Sequence, residues 1–337
     1  MSDEQAIAGG EDSLVQAYFA PLAADFPGAF GLRDDCAALT PEPGHDLVLN
    51  TDAIAEGVHF LPGDAPGDIA WKALAVNVSD IASKGAKPVA YLLSLSFPQF
   101  PERDWMEAFT AGLREAQQRF AIALAGGDTD RRPNAPVSVT VMAIGSVPTG
   151  RMLRRSGGRP GDILYVSGTL GDSALGLRLR SGVIGEPVAA RIDADHREAL
   201  EHRYLRPQPR IGLRTALLDH ARAAMDVSDG LVKDLGRLCR ASGVGAEVRA
   251  DLVPLSPASR AVLKMAPDFS HVPLTGGDDY EILASVAPEK AAAFENSARG
   301  AGVAVTAIGE LRSEPGLDFR DENGRIIDFA VSGYDHF

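Results

Sequence analysis

Residues 68–97 read DIAWKALAVNVSDIASKGAKPVAYLLSLSF, and the order of periods in this stretch decides the fold. From Asp68 to Lys84 the apolar residues recur at helical spacing, with Asp68 as N-cap and Gly85 as the stop. From Val89 the period changes to two: Val89, Tyr91, Leu93, Leu95 and Phe97 share one face of a strand, and Ser94 and Ser96 lie on the other. A helix followed by a strand marks this half of the chain as α+β.

The same reading extends in both directions. Upstream, LVLNTD (Leu47 to Asp52) predicts a short strand, and a first helix is expected from Ser13, where Ser13 and Gln16 have capping-box spacing and Leu14, Tyr18 and Leu22 follow, with Pro21 as a kink. Downstream come a helix from Asp104 to Phe120, an apolar strand IALA ending in Gly126-Gly127-Asp128, and a strand from Val137 to Val147. Gly150 to Asp162 is rich in Gly and Arg and marks a boundary, so domains are expected at 1–150 and 151–337, the first α+β. The second half is also mixed: a strand Ile163 to Ser167, a helix after Gly171-Asp172, and a helix after Asp229-Gly230 with Leu231, Leu235, Leu238 and Cys239 on one face. A Gly276 to Glu281 turn, a strand ILASV, a helix from Pro288 and strands near Val303 to Ile308 and Leu317 to Phe319 follow.

Composition narrows the functional classes. The 337 residues are 45% hydrophobic and carry a net charge of −13, which disfavours a phosphate backbone or an anionic bilayer as partner. Two cysteines, Cys36 and Cys239, are too few for a disulfide framework and fit a reducing compartment. The acidic N-terminal stretch lacks the basic character of a leader, and no apolar run reaches about 18 residues, so a soluble cytoplasmic protein is expected.

Acidic residues recur at ends of apolar strands or in turns beside Gly: Asp34-Asp35, Asp52, Asp128, Asp226, Asp229 and Asp278-Asp279. Each alone is compatible with an ordinary turn; as a set they suit a hard cation such as Mg²⁺. Asp80 differs, lying inside a helix among Val76, Val78, Ile81 and Ala82 with Asn77 on its face; it is either paired with Lys84 at i+4 or a ligand. No Gly-Lys dipeptide, GxGxxG or HExxH occurs, so any ATP bound here is held without a P-loop, and metal ions must supply most of the neutralising charge. Arg151, Arg154 and Arg155 form the main basic cluster, either a solvated loop or a phosphate contact.

Read together, GLRDDCAAL, NTDAIAEGVHF, ALAVNVSDIASKGAKP, LAGGDTDR, RRSGGRPGD, VSGTLGDSALGL, LRPQPRI, MDVSDGL, GGDDYE and the terminal GYDHF resemble the bacterial thiamine-monophosphate kinase family, in unbroken order from about Ser13 to Phe337. That resemblance, within the aminoimidazole-ribonucleotide synthetase superfamily, implies a ferredoxin-like N-terminal domain for ATP, metal and dimerisation, a second mixed α/β domain, and a homodimer formed by N-terminal sheets. It implies the reaction of ATP with thiamine monophosphate to give ADP and thiamine diphosphate, by direct in-line transfer with several Mg²⁺ ions and no covalent nucleophile or general base. It assigns Asp35, Thr51, Asp52, Asp80, Asp128, Asp226 and Asp229 to metal, with Asp52, Asp80 and Asp128 as the core. Gly127, Asp128, Arg155 and Ser228 are assigned to ATP, and His59 and Asp278 to substrate, His59 being otherwise a packed histidine. The chain departs from the family's pattern with Arg33 where Gly is frequent and Asp278 where Glu is common. Val331 aligns with an aromatic substrate contact of the family, a role for which Phe329 or Tyr334 could substitute.

Two alternatives remain. A sibling synthetase fits less well: the first Lys is Lys72 and the first Cys is Cys36, where selenophosphate synthetase needs a reactive residue near its N-terminus, and the chain ends Asp335-His336-Phe337 where the hydrogenase-maturation sibling ends in cysteine. A non-catalytic nucleotide- or metal-binding regulator of the same fold is the other, which the intact acidic set speaks against.

Overall fold

A computed structural model describes residues 10–329, 333 and 334; Val331 and most of the terminal GYDHF lie outside the described residues. The chain divides into one unit of residues 1–81 and 86–150 and another of 82–85 and 151–337.

The first unit holds a four-stranded sheet built from β1 (His45–Ala55), β2 (Lys87–Phe97), β3 (Ala123–Arg131) and β4 (Ser138–Pro148), in the order β1-β4-β2-β3. β4 is antiparallel to β1 and β2, and β3 runs parallel to β2. The helices are α1 (Gly10–Leu14), α2 (Pro66–Ser83) and α3 (Arg103–Phe120). The alternation in β2 holds from Tyr91 onward, with Tyr91, Leu93, Leu95 and Phe97 all buried, whereas Val89, expected on the same face, is half-buried at an irregularity in the pairing with β4. α2 and α3 approach so closely that a Cβ on Gly112 would stand 2.3 Å from the Gly67 carbonyl oxygen, and Trp71 meets Phe120 edge-on at 5.0 Å. Ile81 lies against Gly145 of β4, which puts α2 on the sheet.

Two further details differ from the sequence reading. The first helix begins by Gly10, so Ser13 lies inside it; Glu11 and Asp12 in the first turn suit the positive end of a helix dipole. It passes into a π turn (Val15–Phe19) and a tight 3₁₀ turn (Ala20–Leu22) at Pro21, which cannot donate an intrahelical hydrogen bond. Asp68 is in the first turn of α2 and not its cap, because Pro66, with its fixed φ and no N–H to satisfy, opens the helix.

The second unit holds a six-stranded sheet of β5 (Ile163–Ser167), β6 (Ala221–Val227), β7 (Gly245–Arg249), β8 (Glu281–Val286), β9 (Val305–Arg312) and β10 (Leu317–Arg320), in the order β10-β7-β9-β5-β8-β6. All its pairings are antiparallel except β10 with β7. Its helices are α4 (Asp172–Arg180), α5 (Glu186–Ala189), α6 (Ala194–Leu205), α7 (Arg214–His220), α8 (Leu231–Ser242), α9 (Pro257–Met265), α10 (Val272–Thr275) and α11 (Ala291–Gly300). β8 is buried along its whole length because both faces are covered: Leu283 joins the core under α8, and Ile282 and Ala284 join the core with Phe294 of α11. The α8 face works as the spacing predicts, with Leu231, Leu235 and Leu238 wholly buried, roughly 1.5–3 kcal/mol each. No helix among the described residues is long and apolar enough to cross a membrane.

Candidate active site

In the first unit Asn77 organises the acidic residues. Wholly buried on α2, its Oδ1 accepts from the Asp52 backbone N–H (2.9 Å) and from Asn50 Nδ2 (3.1 Å), while its Nδ2 donates to the carbonyls of Ala73 (3.0 Å) and Asp52 (3.4 Å). Asn50 Nδ2 also donates to Asp80 Oδ2 at 3.2 Å. One buried amide thus fixes β1 against α2, and with it the exposed Asp52 and half-buried Asp80 near each other. Thr51 points to the other face of the strand, its hydroxyl donating to the Val141 carbonyl at 3.0 Å.

Asp35 and Asp128 both line one cavity of about 1220 Å³, on the sheet face bearing Ala90, Leu92 and Ser94. Asp128 is opposite Ser94, itself paired with Thr140, whereas Asp52 pairs with the adjacent Val141. Strand alternation therefore puts Asp128 and Asp52 on opposite faces of the sheet. Neither sits at a strand end: the ladders of β1 and β3 continue past Asp52 to Ala55 and past Asp128 to Arg131. Gly127 is required by this pairing, since a Cβ there would fall 1.9 Å from the Leu93 carbonyl oxygen. His59 lies in the turn after β1. Its Nδ1 accepts the Ala55 N–H at 3.1 Å, which leaves the proton on Nε2, and its carbonyl accepts from the buried Lys72 Nζ at 2.8 Å.

In the second unit β6 delivers Asp226, 4% exposed, and the loop after it delivers Ser228 and Asp229 at the start of α8. Asp234, wholly buried, accepts the N–H groups of Ser228 (3.0 Å) and Asp229 (2.9 Å) on one oxygen and Arg237 (2.7 Å) on the other. Arg237 also grips the Asp229 carboxylate at 2.6 Å, with Lys233 at 3.5 Å. The 276–281 segment locks onto this loop: the Asp278 N–H donates to the Ser228 carbonyl (2.8 Å), the Tyr280 N–H to that of Val227 (2.9 Å), and a Cβ on Gly277 would lie 2.4 Å from the Ser228 oxygen. Ser228, Asp229 and Asp278 are thereby brought together. Arg155 is exposed on the irregular 151–162 segment, its carbonyl accepting from Ser242 Oγ at 3.1 Å. Arg151 pairs with Asp219 at 3.5 Å.

Burial pushes the Asp234 carboxyl up from 3.8 to about 6, with the charges of Asp226 and Asp229 adding to the rise against the pull of backbone N–H and Arg237. A carboxyl whose folded pKa exceeds its unfolded one holds its proton more tightly when folded. Its stabilisation is therefore complete below about pH 4 and is lost as pH rises through about 6. We expect the unfolding free energy of Asp234→Asn, relative to wild type, to shift in the variant's favour by up to roughly 3 kcal/mol between pH 4 and 7. Urea unfolding at a series of pH values measures this; a difference that stays flat across that range would contradict it.

The expected three-carboxylate core is not assembled within one chain. Among the described residues no group of three or more His, Cys, Asp or Glu could hold a metal ion by itself, and the sheet separates Asp128 from Asp52 and Asp80. Sequence reasoning missed Asn77 as the organiser, Asp234, and a buried network in which Glu281 accepts from Ser167 Oγ (2.6 Å), Arg203 (2.8 Å) and Arg210 (2.6 Å from Nε). The signal for the network lay in two blocks already quoted, LRPQPRI with Arg210 and GGDDYE with Glu281.

Comparison with known proteins adds to this geometry. Residues 33–147 match the model of the AIR synthase related protein N-terminal domain, and 159–322 match that of its C-terminal domain. The thiamine-monophosphate kinase of Salmonella typhimurium is 40% identical over 336 residues, 98% of this chain and 99% of the relative. That of Escherichia coli strain K12 is 41% identical over 334 residues, with the same coverage. Among solved structures, thiamine-monophosphate kinase from Stenotrophomonas maltophilia K279a superposes with a TM-score of 0.79 at 40% identity, covering 88% of this chain and 91% of that one. AaThiL complexed with AMPPCP and TMP gives 0.76 at 31% identity, covering 92% and 97%.

Proposed function

The chain belongs to the AIR synthase related family and within it to the thiamine-monophosphate kinases, and from that premise we propose that it transfers the γ-phosphoryl group of ATP to thiamine monophosphate, giving ADP and thiamine diphosphate. The observation that carries this reading is likeness over nearly the whole chain to enzymes of that activity.

The chemistry of this transfer requires no nucleophilic side chain. The attacking group is a phosphate oxygen whose second pKa is near 6, so it is largely deprotonated at neutral pH and needs no general base. Its oxygen bonds to the γ-phosphorus as the bond to the ADP oxygen breaks, and no bond to protein forms. The difficulty is charge, since an anion attacks an anion near carboxylates. Mg²⁺, when bound, would supply the positive charge that screens that repulsion. Asp52 and Asp80 form the pair proposed to hold it, with Asp35, Thr51, Asp128, Asp226 and Asp229 as further oxygen donors. Gly127, Asp128, Arg155 and Ser228 are proposed to contact ATP, and His59 and Asp278 to orient thiamine monophosphate. A cytoplasmic location goes with this reading, ATP being the donor.

A coupled ADP-release assay run side by side with thiamine monophosphate, free thiamine and aminoimidazole precursors tests it. ADP is expected with thiamine monophosphate. Release only with an aminoimidazole precursor would favour a sibling synthetase, and ATP binding without release from any of them would favour a regulator.

We also propose a homodimer through the first sheet. Its face away from α2 and α3 carries Leu49, 61% exposed, and Leu47, with half-buried Met142, Ile144 and Leu92 and small neighbours such as Ser94. Apolar residues contiguous across three strands suit another sheet laid against them. Light scattering at micromolar concentration is expected to give twice 35.5 kDa; a mass of one chain would refute the dimer.

A further inference from the structure

The turn carrying Asp278 is held with unusual completeness. Asp278 and Tyr280 both adopt left-handed backbone, φ +66° and +52°, a conformation that costs a non-glycine residue energy and persists only where its surroundings over-determine it. The surroundings here do so. Backbone N–H groups of both residues bond to the 227–228 loop. Between them the buried Asp279 carboxylate accepts the Gly171 N–H at 2.9 Å, and its carbonyl accepts from Arg203 at 3.2 Å. Glu281 next to the turn is anchored by Arg203, Arg210 and Ser167. With the main chain fixed, the orientation of the Asp278 side chain remains to be set. Tyr280, 7% exposed, sets it: its hydroxyl donates to Asp278 Oδ1 at 3.0 Å.

We infer that Tyr280 is a positioning residue for Asp278, turning its carboxylate toward thiamine monophosphate by a hydroxyl-to-carboxylate bond across a strained turn. The inference rests on the reading of Asp278 as a substrate contact. A hydrogen bond to a carboxylate is among the stronger kinds, and the left-handed residues on either side of Asp279 bring the phenol back onto a carboxylate only two positions away. The phenol acts through Asp278, the proposed contact to thiamine monophosphate.

Tyr280→Phe keeps the ring and removes only the hydroxyl, so the fold is retained. We expect its KM for thiamine monophosphate to rise about tenfold, with the KM for ATP and kcat within about twofold of wild type. Asp278→Ala should raise the same KM at least as much, and adding Tyr280→Phe to it should change nothing further, because the two act as one unit. Wild-type KM in Tyr280→Phe alongside a raised KM in Asp278→Ala would overturn the inference while sparing the reading of Asp278. A rise in both KM values together with a lowered melting temperature would overturn it in favour of a purely structural role. Unchanged KM in Asp278→Ala would overturn the reading of Asp278 and the inference with it.

Discussion

Asp80→Asn is expected to lower turnover at least about a hundredfold while moving the melting temperature by no more than a few degrees. Asn keeps the shape of Asp and an oxygen able to accept the 3.2 Å bond from Asn50, so the contact between α2 and β1 survives. What disappears is one negative charge from a pair that the buried Asn77 holds beside each other. Two formal charges at contact distance interact by about 4 kcal/mol at an effective dielectric of 20, so losing one weakens Mg²⁺ far more than it weakens the fold. Asp52→Asn should behave alike, since its backbone and not its carboxylate makes the bonds to Asn77. Steady-state kinetics and thermal melting on the same preparations decide this. Full turnover in Asp80→Asn, or a collapse of its melting temperature, would show that the pair serves only the fold.

ATP should bind at least about a hundredfold more weakly in EDTA than in excess Mg²⁺. Of the residues proposed to contact ATP, only Arg155 is cationic. The cations nearest Asp229 are already engaged, Arg237 at 2.6 Å and Lys233 at 3.5 Å. A polyanion approaching without metal therefore meets the carboxylates of Asp226 and Asp229 in a chain of net charge −13. Calorimetric titration under the two conditions measures the ratio. Tight binding in EDTA would contradict the claim that metal supplies the neutralising charge.

Much of the fold was legible because its signals are local. The switch from helical to alternating spacing at Gly85 located α2 and β2, and the apolar stripe Leu231-Leu235-Leu238 located α8. α6 escaped because ADHREALEHRYL buries only Leu200 and Tyr204, and a mostly polar helix carries a faint stripe. β7, GAEVR, is five residues opened by a glycine, too short for alternation to stand out.

The site was legible as a set of residue types and not as an arrangement. Asp52 and Asp128 look alike in sequence, each an Asp after a short apolar run, yet register with β4 and β2 puts them on opposite faces. Register is a long-range property, and slipping one strand by a single residue would reverse the face of its carboxylate. Asn77 meets Asp52 across 25 residues, and Arg203 and Arg210 reach Glu281 across 78 and 71, distances at which no local pattern operates. Asp234 was hidden for another reason: it sits in the first turn of a helix, where an acidic residue is ordinary, and only burial shows that it holds the loop before it.

The most direct measurement is chromatographic detection of product after incubating the folded protein with thiamine monophosphate, ATP and excess Mg²⁺. Thiamine diphosphate and ADP should accumulate in equal amounts, each thiamine monophosphate consumed matching one ATP. Absence of thiamine diphosphate from protein shown to be folded, whether or not ATP is hydrolysed, would contradict the account.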